Sequence, residues 1–219
     1  MGKRSDVGAA VVADAKRLLS KVVKNPPGLV IDCGSNLGQG FTFFRQYYPL
    51  SLYDYVLVEP NPYCIGHLSK MREELGGNID IIAEAASTQA GEARFYGLTE
   101  DARGKASNGG SILRNHNSLY YTADEHHAIS VRTFCLRDLI QKKIDSGYSA
   151  IVMKLDIEGS EYHVLDDLIA HNMHTLIDVL YIEFHSRYME EIDRKHYESR
   201  EIEIVNKLQQ DSVLYTIWV

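Results

Sequence analysis

The sequence is short of the features that mark a stapled, membrane-spanning or nucleic-acid-binding protein. Its three cysteines, Cys33, Cys64 and Cys135, are odd in number and far apart. That excludes a disulfide framework and a CxxC-type metal pair, and it fits a reducing, cytoplasmic setting. No run approaches the ~20 apolar residues that a bilayer-spanning helix needs. The N-terminal MGKRSDVGAAVVADAKRLL has charges inside its apolar stretch, unlike a secretory leader, so no membrane partner is expected. Positive charge is scarce too: 23 Lys and Arg against 30 Asp and Glu give a formal net charge of −7. A nucleic-acid partner is not expected either, because phosphate binding relies on a basic face. Lys16, Arg17, Lys21 and Lys24 gather on one early segment and read as a solvated helix face.

What is present suits one compact domain. The 219 residues are 45% hydrophobic and 24% charged, enough for one buried core and one site. Residues 5–24 begin with Ser5 and Asp6 as N-caps, keep apolar residues at helical spacing, and stop at Asn25-Pro26-Pro27-Gly28. Strand-like runs LVIDCG, DYVLVEP, IDIIAEAA, AIVMKLDIEG and VLYIEFH then alternate with helical segments at 41–48, 63–74, 160–171 and 190–210, and SVLYTIWV ends as a strand. This cadence predicts an α/β fold, a doubly wound and mainly parallel sheet covered on both faces. Segment 91–135 departs from it. GEARFYGL and HAISVRTF read as strands joined by a polar stretch, too short to bury a core of their own, and so predict an inserted β/loop segment that shapes the site. The expected organisation is a single domain over 1–219, with 1–28 as helix and linker and 29–219 as the α/β core.

The first string with chemistry is Val30-Ile31-Asp32-Cys33-Gly34-Ser35-Asn36-Leu37-Gly38-Gln39-Gly40. A buried strand runs there into a glycine-bearing turn and a helix whose first N–H groups are free to meet a ligand, which predicts a cofactor cradle. It is not GxGxxG, so a dinucleotide is the weaker choice. Glu59 ends the next strand, where an acid accepts hydrogen bonds from both ribose hydroxyls, and Glu84 ends the third, on the adenine side of the same crevice. Asp156 and Glu158 stand at the carboxyl end of a later strand, and Glu183 and His185 repeat the arrangement on the next. In open α/β sheets that end is where ligands bind, and residues two apart on a strand share a face. His126-His127 and the pair His171 and His174 read instead as structural or solvated.

In this order, VIDCGSNLGQG, VEPNP, AEAAS followed by GEARFYG, MKLDIEGSEYHVL and YIEFH resemble the FkbM family of S-adenosylmethionine-dependent methyltransferases, over about Leu29 to His185. The resemblance implies a class I, Rossmann-like methyltransferase fold with S-adenosylmethionine as cofactor. It implies that Asp32, Gly34, Ser35, Asn36 and Gly38 cradle the methionine part, that Glu59 holds ribose, and that Glu84 lies near the adenine. Asn61, Ala85 and Asp156, from the same strings, join these contacts. Asn108-Gly109-Gly110-Ser111 is similar to a small-residue string of the family near the cofactor, which adds Ser111. Family members act mainly on hydroxyls, including those of sugars and macrolide natural products. Ser35 replaces the usual Ala, and Phe41 stands where Thr or Ser is common, with Thr42 one place later. The sheet also ends with one strand where two are common, as expected of part of a longer polypeptide.

Methyl transfer from a sulfonium is an in-line displacement, so the protein must align donor and acceptor and take a proton from a weakly acidic hydroxyl. His185 is the expected base, as a neutral imidazole oriented by Glu183 or Asp156, with Asp156 the next candidate. Glu158, Glu183, Tyr120 and Tyr121 are the expected substrate contacts; Tyr47 and Tyr48 are weaker candidates for stacking on a ring. No metal is expected, the alternative being a divalent cation on Asp156, Glu183 and His185. The expected function is O-methylation of a hydroxyl on a sugar, glycan or small molecule. A dinucleotide-binding oxidoreductase and a non-catalytic glycan- or partner-binding module are the rivals.

Overall fold

The computed structural model describes residues 2–98, 105–106, 108–117 and 123–218, with side chains from residue 7 onward. Six strands, β1 (Gly28–Cys33), β2 (Tyr53–Val58), β3 (Ile79–Ile82), β7 (Ile151–Leu155), β8 (Val179–Ile182) and β9 (Tyr215–Ile217), form one sheet in the order β3-β2-β1-β7-β8-β9. Every pairing in it is parallel. This is the expected doubly wound α/β fold, with the order turning at the β1–β7 junction, where the carboxyl ends of the strands open a crevice.

Alternation along the strands divides the core into two layers. Leu29, Ile31 and Cys33 of β1 and Ile151, Met153 and Leu155 of β7 face α4 (Leu136–Asp145), α5 (Glu161–Ala170) and α6 (Glu191–Gln210). Val30, Val152 and Tyr181 face α1 (Gly2–Lys24), α2 (Gln39–Phe44) and α3 (Pro62–Leu75). Helix α1 covers its side with Val7, Val11, Leu18 and Val22, the spacing of an amphipathic stripe. Tyr48 is fully buried there, its hydroxyl 2.8 Å from that of Tyr181, so it packs rather than faces a ligand.

Two elements differ from expectation. The run IDIIAEAA is two strands: β3 ends at Ile82, and after a break at residues 83–84 β4 (Ala85–Ser87) joins a second sheet of order β4-β6-β5. In it β5 (Gly91–Phe95) and β6 (Ile129–Cys135) pair antiparallel, and these are the two strands expected in the inserted segment. Helix α4 was not anticipated, although Leu136 and Ile140 are fully buried four residues apart, with Ile144 packed beside them. The helix follows β6 with no breaker between Cys135 and Leu136, so the strand pattern runs into it. Among the described residues no helix is long and apolar enough to cross a membrane.

Candidate active site

A cavity of about 650 Å³ opens at the carboxyl ends of β1, β2 and β7 and runs from Glu59 to His185. At one end stands the turn after β1. Gly34 has φ +81°, and a Cβ there would lie 1.7 Å from the Asp156 carbonyl oxygen. Its glycine is therefore required by the neighbouring strand end, not only by a ligand. The N–H groups of the turn that precedes α2 are spent inside the chain. Those of Gly34 and Ser35 donate to the Val58 carbonyl, that of Gly38 to the Ser35 carbonyl, and that of Leu37 to Gln39 Oε1. Buried N–H groups must be paired, and here the chain itself pairs them.

The Glu59 carboxylate completes this end. Its Oε2 accepts from the Asn36 N–H at 2.7 Å and its Oε1 from the Asn61 N–H at 2.8 Å. Burial pushes its pKa up to about 7, against the pull of those two N–H donors. Asn61 caps α3 by accepting from the Tyr63 N–H. Ser35, Asn36, Asn61 and Ala85 also line the cavity. Asp32 lies beneath it, fully buried, 3.2 Å from Lys154 Nζ. Lys154 reaches Asp156 at 3.0 Å and the Gly34 carbonyl at 3.1 Å. Burial alone would lower its pKa, but Asp156 and Asp32 together hold the ammonium above its ordinary range. Asp32 and Lys154 are register partners across β1 and β7. A lysine within the apolar run Val152–Leu155 signals a buried charge, but nothing in the run names Asp32 as its partner.

Besides Asp32, three expected cofactor contacts lie outside the cavity lining: Gly38, which packs against Met71 and Leu68 of α3, and Glu84 and Ser111. Glu84 sits at the break after β3 and pairs with Arg132 at 2.9 Å, outside the residues that line the cavity. Ser111 is buried behind the wall, where its hydroxyl donates to the Glu158 carbonyl at 2.6 Å. Tyr120 and Tyr121 lie outside the described residues.

At the far end the four expected side chains do meet, though not along extended strands. β7 stops at Leu155 and β8 at Ile182; Asp156, Glu158, Glu183 and His185 ride the turns that follow, Glu158 in the left-handed region at φ 55°. His185, 2% exposed, has Nε2 3.3 Å from Glu158, 3.7 Å from Asp156 and 3.9 Å from Glu183. Its Nδ1 lies 3.0 Å from Glu161, a fully buried acid at the start of α5. The expectation of a neutral imidazole oriented by Glu183 or Asp156 is therefore corrected. Glu161 orients the ring, and carboxylates surround both nitrogens. Burial alone would lower the ring's pKa, but Glu161, then Glu158 and Asp156, push it up to about 10. His185 is protonated at neutral pH and has no room for another proton.

The alternative cation set also changes. The donor atoms that come within 4.8 Å of one another among the described residues are those of Asp156, Glu161 and His185, not Glu183, which Arg187 draws away at 2.9 Å. Glu161 already accepts from the N–H groups of Ile157 at 2.6 Å and Gly159 at 2.8 Å, so it is a hydrogen-bonding hub. His116, from the inserted segment and fully buried, stands 3.3 Å from Glu158. His127 pairs with Asp124 on the surface, and His174 is buried against Asp211.

Residues 32–208 match the model of the methyltransferase FkbM domain. The chain belongs to the FkbM methyltransferase family. A search of curated proteins found no match. A crystal structure of methyltransferase FkbM from Methylobacillus flagellatus KT is similar, with a TM-score of 0.49 and 13% identity over 86% of this chain. This chain spans 38% of that protein's length. In this FkbM domain the strings after β1, β2, β7 and β8 line one continuous cavity.

Proposed function

We propose that the protein is an S-adenosylmethionine-dependent O-methyltransferase whose acceptor is a hydroxyl on a sugar, glycan or small molecule. The observation that carries the reading is the chemistry of the cavity wall. Glu59, Asp156, Glu158 and Glu183 line it, with Lys154 and His185 as the cations, and the N–H groups of the turn are used internally. Such a wall accepts hydrogen bonds and favours a ligand that brings hydroxyl donors and positive charge. It disfavours the pyrophosphate of a dinucleotide, whose negative charge the four carboxylates would repel. The cavity volume also falls within the ~300–1,000 Å³ usual for a small-molecule site.

Ribose hydroxyls fit Glu59, whose two oxygens keep lone pairs after accepting from Asn36 and Asn61. When bound, the cofactor supplies an electrophilic methyl group on a cationic sulfur. The acceptor hydroxyl then belongs at the other end, against Asp156, Glu158 and Glu183. Asp156 is the base we favour, because His185 is already protonated. A carboxylate suffices if the proton leaves as the oxygen is alkylated and becomes strongly acidic. His185 holds the surrounding carboxylates together, which would otherwise repel one another. Phe43 and Trp218, ring centres 5.2 Å apart, add an aromatic wall of the kind on which a sugar ring packs.

Calorimetric titration with S-adenosylmethionine and S-adenosylhomocysteine tests the reading, with NADH as control and EDTA in a parallel run. Micromolar binding of both, and none of NADH, is expected. Binding of NADH alone, or of nothing, would overturn it.

A further inference from the structure

We propose that Glu161 is a positioning residue. Its one carboxylate fixes the ring of His185 through Nδ1 and fixes the turn bearing Asp156 and Glu158 through the N–H groups of Ile157 and Gly159. The inference rests on the proposed function only for its importance to the reaction, not for its geometry. Glu161 is fully buried, yet every contact it makes serves this end of the cavity: Ile157 at 2.6 Å, Gly159 at 2.8 Å and His185 at 3.0 Å. An acid at the start of α5 would ordinarily face solvent and the helix N-terminus. Burying it costs free energy that only its partners offset. Those partners come from two separate strand ends, after β7 and after β8, so Glu161 ties together the two turns that carry Asp156, Glu158, Glu183 and His185.

A consequence concerns the tautomer. A carboxylate only accepts, so Nδ1 must carry a proton in every state of the ring, and Nε2 is the nitrogen left to face the cavity. The groups that face the ring are Glu161 from α5, Asp156 and Glu158 from the β7–α5 turn, Glu183 from the end of β8, and His116 from the inserted segment. Tyr188, whose ring centre lies 5.9 Å from that of His185 and 6.0 Å from that of His116, packs against both, with Arg187 above it.

The experiment is nitrogen-15 NMR of the histidine-labelled 219-residue chain, the His185 signals being assigned by their loss in His185→Gln. In the wild type both ring nitrogens should be protonated at pH 7.5. In Glu158→Gln, which removes a carboxylate from the Nε2 side, the ring should titrate lower but become neutral as the Nδ1–H tautomer. In Glu161→Gln the acid constant should rise at least tenfold and the neutral ring should lose its Nδ1–H preference. A neutral ring protonated on Nε2 in Glu158→Gln, or a Glu161→Gln spectrum that matches the wild type, would overturn the proposal. If Glu161→Gln does not fold, the tautomer in Glu158→Gln decides alone. Failure of the wild type to bind S-adenosylmethionine would sink the proposed function and leave this result standing.

Discussion

Glu59 and Lys154 put opposite demands on the same cavity. Glu59 is raised by burial to about 7, so near neutrality it is partly uncharged, and a neutral carboxyl is a poorer acceptor for two hydroxyls. Cofactor affinity should therefore weaken as the pH falls below about 7, with a proton released on binding there. Calorimetry in buffers of different ionisation enthalpy measures that proton. Glu59→Gln should lower affinity at least tenfold and cost about 1–3 kcal/mol in urea unfolding, since its NH2 would face one of the N–H donors of Asn36 and Asn61. Lys154→Met should cost about 3 kcal/mol or more in urea unfolding, because Asp32 and Asp156 would be left without their cation. Both residues illustrate what a sequence discloses. Glu59 is legible because a strand-end acid after a glycine turn has a known use. Lys154, Glu161 and His116 are not, because their roles come from partners in other segments. His185 was found as a site residue, but its protonation depends on Glu161, which only the packing of α5 brings near.

At the scale of elements, the strands of the main sheet were legible wherever an apolar run was bounded by breakers. IDIIAEAA misled because its alternation continues across the point where the chain changes sheets, and with that break Glu84 turns toward Arg132. Helix α4, ten residues long like α5, is hidden because it starts at Leu136 directly after β6 ends at Cys135, with no glycine or proline to mark the change of period. It nevertheless contributes to the core: Ile140→Ala, at a fully buried position, should cost about 3 kcal/mol in urea unfolding. The turn after β1 should tolerate even less. Gly34→Ala would set a methyl against the Asp156 carbonyl at positive φ and should destabilise by more than about 3 kcal/mol, with cofactor binding lost together with the fold.

For the whole molecule, the pH dependence of stability follows from the carboxylate-lined end. His185 is raised from 6.5 to about 10 in the folded state. Its contribution is thus fully present below about pH 6.5 and is lost as the pH rises through 10. Glu59, an acid raised from 4.5 to about 7, acts in the same direction over a lower window, since the unfolded chain ionises first. Thermal melts should fall in temperature from pH 6.5 to 10, and His185→Gln should flatten that decline. A wild-type melting temperature that holds steady across this window would contradict the surroundings described for the ring. The sequence foretold which side chains gather at the mouth of the sheet, but the balance of charge among them emerges only when the whole chain is folded.

The three cysteines give the fold a set of internal reporters. Cys33, Cys64 and Cys135 are free and buried, and burial pushes the Cys64 thiol up to about 12 and Cys33 higher than its ordinary range. A thiol reagent can therefore attack each only when its surroundings open. They stand in different parts of the molecule: Cys33 in β1, Cys64 in α3 beside Asn36, and Cys135 in the second sheet. Alkylation followed by mass spectrometry would thus clock three separate openings without any mutation. A ligand seated against Glu59 and Asn36 should slow modification at Cys64 first, which makes the wild-type chain its own sensor of where a small molecule has bound.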